Sequence, residues 1–129
     1  MAEELNRHLI DVNPYDGLVI GGNEKHQCGV TVKAGQVLER GTILAIDEDD
    51  KAVILGTEAE AEEGEEAVVY APKYILAEDI DTTDGDDVAI AYDRATICKD
   101  KVIVAEGYTL TAEDIDELRK RNIFFEDEV

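Results

Sequence analysis

A chain of 129 residues, 44% of them hydrophobic, can bury the core of one domain, but only 5% are aromatic and none is Trp, so that core must come from Val, Ile, Leu and Ala. The formal charge of −20, from 32 acidic against 12 basic residues, opposes the phosphate backbone and argues against direct nucleic-acid binding. No apolar run approaches the ~18 residues of a membrane span. The start, Met1-Ala2-Glu3-Glu4, lacks the basic and apolar regions of a signal peptide, so the expectation is a soluble, cytoplasmically made chain with no membrane partner.

Residues 1–27 carry no strand or helix period. Pro14 and Asp16-Gly17 mark one turn, and Gly21-Gly22-Asn23 marks another after Leu18-Val19-Ile20. The segment reads as an extended arm, mobile or loosely packed in the free protein. Its apolar residues, Leu5, Leu9, Ile10, Val12, Tyr15, Leu18, Val19 and Ile20, are too many for a solvated tail. They must pack either on their own domain or on a partner.

From residue 28 to residue 129 the punctuation is that of a β-rich body. Short strands are expected at Val30-Thr31-Val32, Thr42 to Ile46, Ala52 to Leu55, Ala67 to Tyr70, Tyr74 to Leu76, Val88 to Tyr92 and Val102 to Val104. Asp47 to Asp50 should turn an antiparallel hairpin, and the like-charged stretch Gly56 to Glu66 should be a solvated excursion. Gly35 and Gly41 fit turn positions that need a positive φ. Near the end, Thr111 can cap a helix over about 112–121, with Asp114 as a short-armed capping-box acid and Leu110 and Ile115 as a staple. Acid leads and base follows in that helix, which complements its dipole, and Ile115 and Leu118 share one face. Asn122 can end it, and Ile123-Phe124-Phe125 returns to apolar contact. The fold class is mainly β, a sandwich or barrel-like α+β domain with one C-terminal helix and an N-terminal arm.

No catalytic constellation is legible. The chain has no Ser, and its two cysteines, Cys28 and Cys98, are far apart and in no Cys-x-x-Cys pattern, so free thiols are expected. His26 and Cys28 lie on one face of a strand, but the sequence offers no third, orienting group and no set of four zinc ligands with His8 so distant. The turn Asp79 to Asp87 has the carboxylates of a calcium loop without its spacing: with Gly85 at the loop glycine, the earlier ligand positions become Ile80, Thr82 and Asp84. Asp side chains capping their own backbone explain that turn better. Gly21-Gly22 lacks the lysine and helix of a phosphate loop. The expectation is therefore no enzyme, no catalytic residue, no metal and no cofactor.

Two segments carry a resemblance: Val32-Lys33-Ala34-Gly35-Gln36-Val37-Leu38-Glu39-Arg40-Gly41-Thr42-Ile43-Leu44, and Tyr74-Ile75-Leu76-Ala77-Glu78-Asp79-Ile80-Asp81-Thr82-Thr83-Asp84-Gly85-Asp86. The first is similar to a Gly-x-x-Leu-x-x-Gly-Thr-x-Leu segment, and the second to an Ile-Leu-Ala-Glu-Asp-x-Asp turn, of the head decoration proteins of tailed bacteriophages. Both occur in that family's order, and the C-terminal helix with its apolar tail resembles the family's ending. The similarity spans about 17–125 and departs at the acidic excursion 56–66 and at Tyr92-Asp93-Arg94-Ala95, where relatives more often show a glycine-centred turn. The resemblance implies a structural virion protein, assembled in the bacterial host cytoplasm. It implies a homotrimer on the outer surface of the expanded capsid, at local threefold sites, stabilising the shell against packed DNA. It further implies the major capsid protein as partner and Tyr15, Leu18, Val19 and Ile20 as arm contacts. A small-ligand or metal-binding β module, or an accessory domain of an enzyme, is the alternative.

Overall fold

The computed structural model describes residues 18–20, 26–59, 64 and 68–126. Eight strands lie among them: β1 His26–Val32, β2 Val37–Leu38, β3 Ile43–Ile46, β4 Ala52–Ile54, β5 Pro72–Leu76, β6 Ile80–Asp81, β7 Asp87–Cys98 and β8 Ile123–Glu126. One helix, α1, spans Ala112–Lys120, and a 3-10 turn covers Lys99–Lys101.

Five strands close on themselves. β4, β3, β5 and β7 follow one another in antiparallel register, and β1 closes the ring by pairing antiparallel with β7 from Val32↔Asp87 to His26↔Arg94 and parallel with β4 at Val32↔Ala52. Of the sandwich and the barrel that the strand pattern allowed, the chain forms the barrel. Every ring strand supplies the interior: Val30 and Val32, Leu44, Ala52, Leu76, Ala89 and Ala91 pack together with Leu38 of β2. A ring of few strands encloses little space, which is why three of these positions are Ala and none is aromatic.

A second core lies on the outer face. Ile43 and Ala45 of β3, Val53, Ile75 and Tyr92 alternate with the interior residues and meet Leu118 of α1 and Ile123 of β8. β7 serves both cores because it contains a bulge: His26 stands opposite Arg94 but Gln27 opposite Tyr92, so Asp93 is an extra residue on β7. One extra residue reverses the side-chain alternation. Ala89 and Ala91 therefore face the interior, whereas Ala95 and Ile97, of the same odd parity, face the outer core. Beyond the bulge, β8 adds in parallel register from Ala95↔Ile123 to Cys98↔Glu126.

The hairpin at Asp47 to Asp50 forms as its residues require. Asp47 Oδ1 accepts the N–H groups of Asp49 (2.9 Å) and Lys51 (3.0 Å), and Asp50 takes φ +65°. Burial alone would push the Asp47 carboxyl up, but these two N–H groups and the Lys33 ammonium, 3.4 Å away, hold it below the ordinary value.

Three expectations need correction. Of the strand expected at Ala67 to Tyr70, the described residues 68–70 form no strand, and neither does Val102 to Val104: each makes one isolated bridge, Val69↔Glu58 and Ile103↔Thr42. Ile103 and Ala105 bond backbone groups of Gly41, Ile43 and Leu55, so that segment crosses elements rather than following one. β7 runs six residues beyond the expected Tyr92, because Asp93-Arg94 forms a bulge in place of a turn. On α1, Asp114 and Leu118 are buried and Ile115 is half-buried.

Asp114 is inside because its bonds are made. Thr111 Oγ1 accepts from Asp114 N at 3.1 Å, Thr111 N donates to Asp114 Oδ2 at 3.1 Å, and the Tyr108 hydroxyl also donates to Oδ2. Asn122, at φ +70°, ends the helix. Burial, then the bond to Asp114, pushes the Tyr108 phenol up to about 12 from 10.0. The fold thus favours the neutral phenol, and its contribution, complete below pH 10, should fade as pH rises through 12. An alkaline titration followed by phenolate absorbance should show a late-ionising phenol that Tyr108→Phe removes; identical curves for the two proteins would refute this assignment.

Candidate functional site

The arm reaches the body at Leu18 to Ile20. Val19 bridges Ile97 in antiparallel sense, Cys98 N donates to Leu18 O at 2.7 Å, and Ile20 N donates to Thr96 O at 2.9 Å. This short run continues the line of β1 along β7. Between Ile20 at Thr96 and His26 at Arg94, however, the first chain advances six residues while β7 advances two. Leu18 is 2% exposed and belongs to the outer core. Val19 and Ile20 are half-buried, and Tyr15 lies outside the described residues. Of the four residues named as arm contacts, Leu18 thus faces the domain itself.

The floor under Leu18 is Gly41, at φ +98°. A Cβ there would stand 3.5 Å from Leu18 Cδ1 and 2.8 Å from the carbonyl oxygen of Lys101. Gly35, also at positive φ as expected, lets its N–H reach Thr82 O at 2.7 Å. Gln36 and Thr82 then tie the two recognisable segments together, a pairing that sequence reasoning missed. Thr82, 1% exposed, donates to Lys33 O and accepts from Gln36 N at 3.0 Å. The Gln36 side chain donates to Lys33 O and Ala52 O and accepts from Ile54 N.

Four of the five acids of the second segment accept backbone N–H groups in the same way, Asp86 from Ala34 N at 2.8 Å. Glu78 accepts from Ile90 N at 2.8 Å, Asp79 from Arg40 N at 2.8 Å, and Asp81 from Thr83 N at 2.9 Å. Arg40 also donates to Ala77 O and to the hydroxyl of the fully buried Tyr92, at 3.0 and 2.7 Å. β2 and β6 pair directly, Val37↔Asp81 and Leu38↔Ile80. The two segments therefore form one structural clasp, and carboxylates engaged by backbone N–H groups are not arranged to receive a cation.

The structure supplies the third group that the sequence did not offer beside His26 and Cys28. Asp93, the bulge residue, holds His26 Nδ1 at 2.6 Å. Nucleophilic chemistry is not thereby assembled, because burial, and after it the Asp93 charge, raises the Cys28 thiol above its ordinary value, and a nucleophile needs the thiolate. Among the described residues no group of three or more His, Cys, Asp and Glu side chains is placed to hold a metal ion.

A family model described as bacteriophage lambda head decoration protein D matches residues 9–123. The chain belongs to that family. Comparison with curated proteins gives no match. As a head decoration protein it belongs to a structural family and is a component of the phage capsid. The match runs through the arm from residue 9, through both halves of the clasp and through α1 to the first residue of β8. Tyr92 to Ala95 runs within β7, with Asp93 as the bulge residue.

Proposed function

We propose that this decoration protein binds the outer surface of the expanded phage capsid as a homotrimer at local threefold sites, stabilising the shell against packed DNA. The observation that carries the reading is a family match that includes the arm as well as the barrel. The major capsid protein is the partner, reached by Tyr15 and by the exposed parts of Val19 and Ile20, while Leu18 ties the arm to β7. Binding free energy gained by the arm is then transmitted to the strand that carries both cores. A charge of −20 disfavours contact with the packaged DNA itself.

Charge also governs assembly. Subunits this acidic repel one another, and the Debye length falls from roughly 30 Å at 0.01 M salt to ~8 Å at 0.15 M, whereas apolar burial is not screened. Trimerisation and capsid binding should hold or strengthen as salt rises through that range. Sedimentation of the free protein, and co-sedimentation with expanded capsids, measure both. A monomer under all conditions would sink the trimer, and capsid binding abolished by salt would show an ionic contact in place of an apolar one.

A further inference from the structure

A cavity of about 420 Å³ lies between residues 68–72, the loop bearing Tyr108 and the first two turns of α1. Val69, Tyr70, Pro72 and Tyr108 form its apolar and aromatic side, and Glu113 and Glu117 its helical side, with Asp114 buried behind them. None of the described residues lining it is Lys, Arg or His.

Both tyrosines are held. The Tyr108 hydroxyl donates to Asp114, and that of Tyr70 to Glu48 Oε2 at 3.3 Å. The acids differ in how far they are already used. Asp114 accepts from Tyr108 and Thr111, and Glu117 is shared with Lys120 at 3.9 Å and Arg121 at 3.5 Å. Glu113 is exposed and enters no ion pair among the described residues. The start of a helix carries about half a positive charge, which the first-turn acids Glu113 and Asp114 more than cancel. Three carboxylates exclude an anion, and an uncharged apolar ligand would desolvate Glu113 without compensation.

We propose that this cavity receives an arginine side chain presented by a partner protein. Its volume is near the lower end of the roughly 300–1,000 Å³ of small-ligand sites, enough for one side chain and too little for a helix. A guanidinium lies flat against tyrosine rings and meets carboxylates in a fork, whereas an ammonium offers only a point charge. The inference rests on the shell-binding reading only for the partner's identity, the capsid shell protein.

The test begins with the intact protein and N-acetyl-arginine amide, followed by NMR, with the neutral isostere N-acetyl-citrulline amide as control. Saturable shifts at Tyr70, Tyr108 and Glu113 are expected with the arginine probe alone. In E113Q/E117Q the affinity should fall about tenfold, because both carboxylates that the guanidinium would meet become neutral amides. D100N/E106Q removes the same charge from exposed residues outside the cavity and should bind as the parent does. Shifts scattered over the acidic surface, equal binding of citrulline, or an unchanged E113Q/E117Q would overturn the site. Co-sedimentation then identifies the partner: E113Q/E117Q should bind expanded capsids about fivefold more weakly than D100N/E106Q. Equal binding of the two variants would overturn the shell as the arginine's source, and failure of the parent to bind shells would count against the capsid reading and not against the cavity.

Discussion

Replacing Gly41 with alanine should lower the unfolding free energy by about 3–5 kcal/mol, a large part of the ~5–15 kcal/mol that holds a domain of this size together. Two costs add. The backbone at φ +98° is a conformation that L side chains rarely adopt, worth roughly 1–3 kcal/mol. The new Cβ would also stand 2.8 Å from the Lys101 carbonyl oxygen, a backbone atom that cannot swing aside as a flexible side chain could. Relief requires the 41–43 segment and the 101–103 segment to separate, which weakens Ile103 N to Gly41 O (3.0 Å) and Ile43 N to Ile103 O (2.8 Å). Gly35→Ala is the internal control. Gly35 has φ +88° but nothing within 4 Å of its Cβ position, so only the backbone cost applies, about 1–2 kcal/mol. Urea denaturation of the two variants separates strain from collision. Equal losses would mean that the Lys101 carbonyl yields to the new methyl, and a larger loss at Gly35 would contradict the geometry outright.

Gly41 and Gly35 were legible in the sequence because a turn glycine betrays a local need, and so was the capping box, whose two partners sit three residues apart. The acidic turn was legible for the same reason: Asp81 bonds Thr83, two positions on. What sequence could not show is non-local. Gln36 and Thr82 are 46 residues apart and look like ordinary polar surface until the clasp buries Thr82 and half-buries Gln36. Closure of the barrel depends on β1 meeting β7 some sixty positions away, which no periodicity within either strand can report, so sandwich and barrel were equally consistent with it. Asp93 was opaque in a different way. A polar pair between apolar runs usually marks a turn, and only the paired strand reveals that here it is an extra residue inside one continuous strand. The family segments were legible as a pattern but not as a mechanism: their glycines and acids fasten the barrel, while the arm that bears the proposed contact carries no such motif.

Leu18 and the residues before it should separate in their effects. Leu18→Ala should cost about 3 kcal/mol of stability, within the ~2–5 kcal/mol of large-to-small changes in a packed core, because Leu18 is 2% exposed and fills the space over Gly41. Removing residues 1–17 keeps Leu18 and its backbone bond to Cys98, with that of Ile20 to Thr96, and should leave the domain folded. Capsid association should respond in the opposite order. The truncated protein should lose it, whereas Leu18→Ala, at temperatures where it remains folded, should keep it, since the side chain faces the domain and not the shell. Because the shell binds only the folded domain, saturating capsids should also raise the unfolding midpoint of Leu18→Ala, as mass action requires. Denaturant titrations of both variants and co-sedimentation with expanded capsids measure the four quantities. A truncated protein that binds shells as tightly as the intact one would remove the arm from the contact. A Leu18→Ala protein as stable as the parent would show that Leu18 is not seated on β7 in solution, and a stable Leu18→Ala protein that no longer binds would return Leu18 to the shell-facing set.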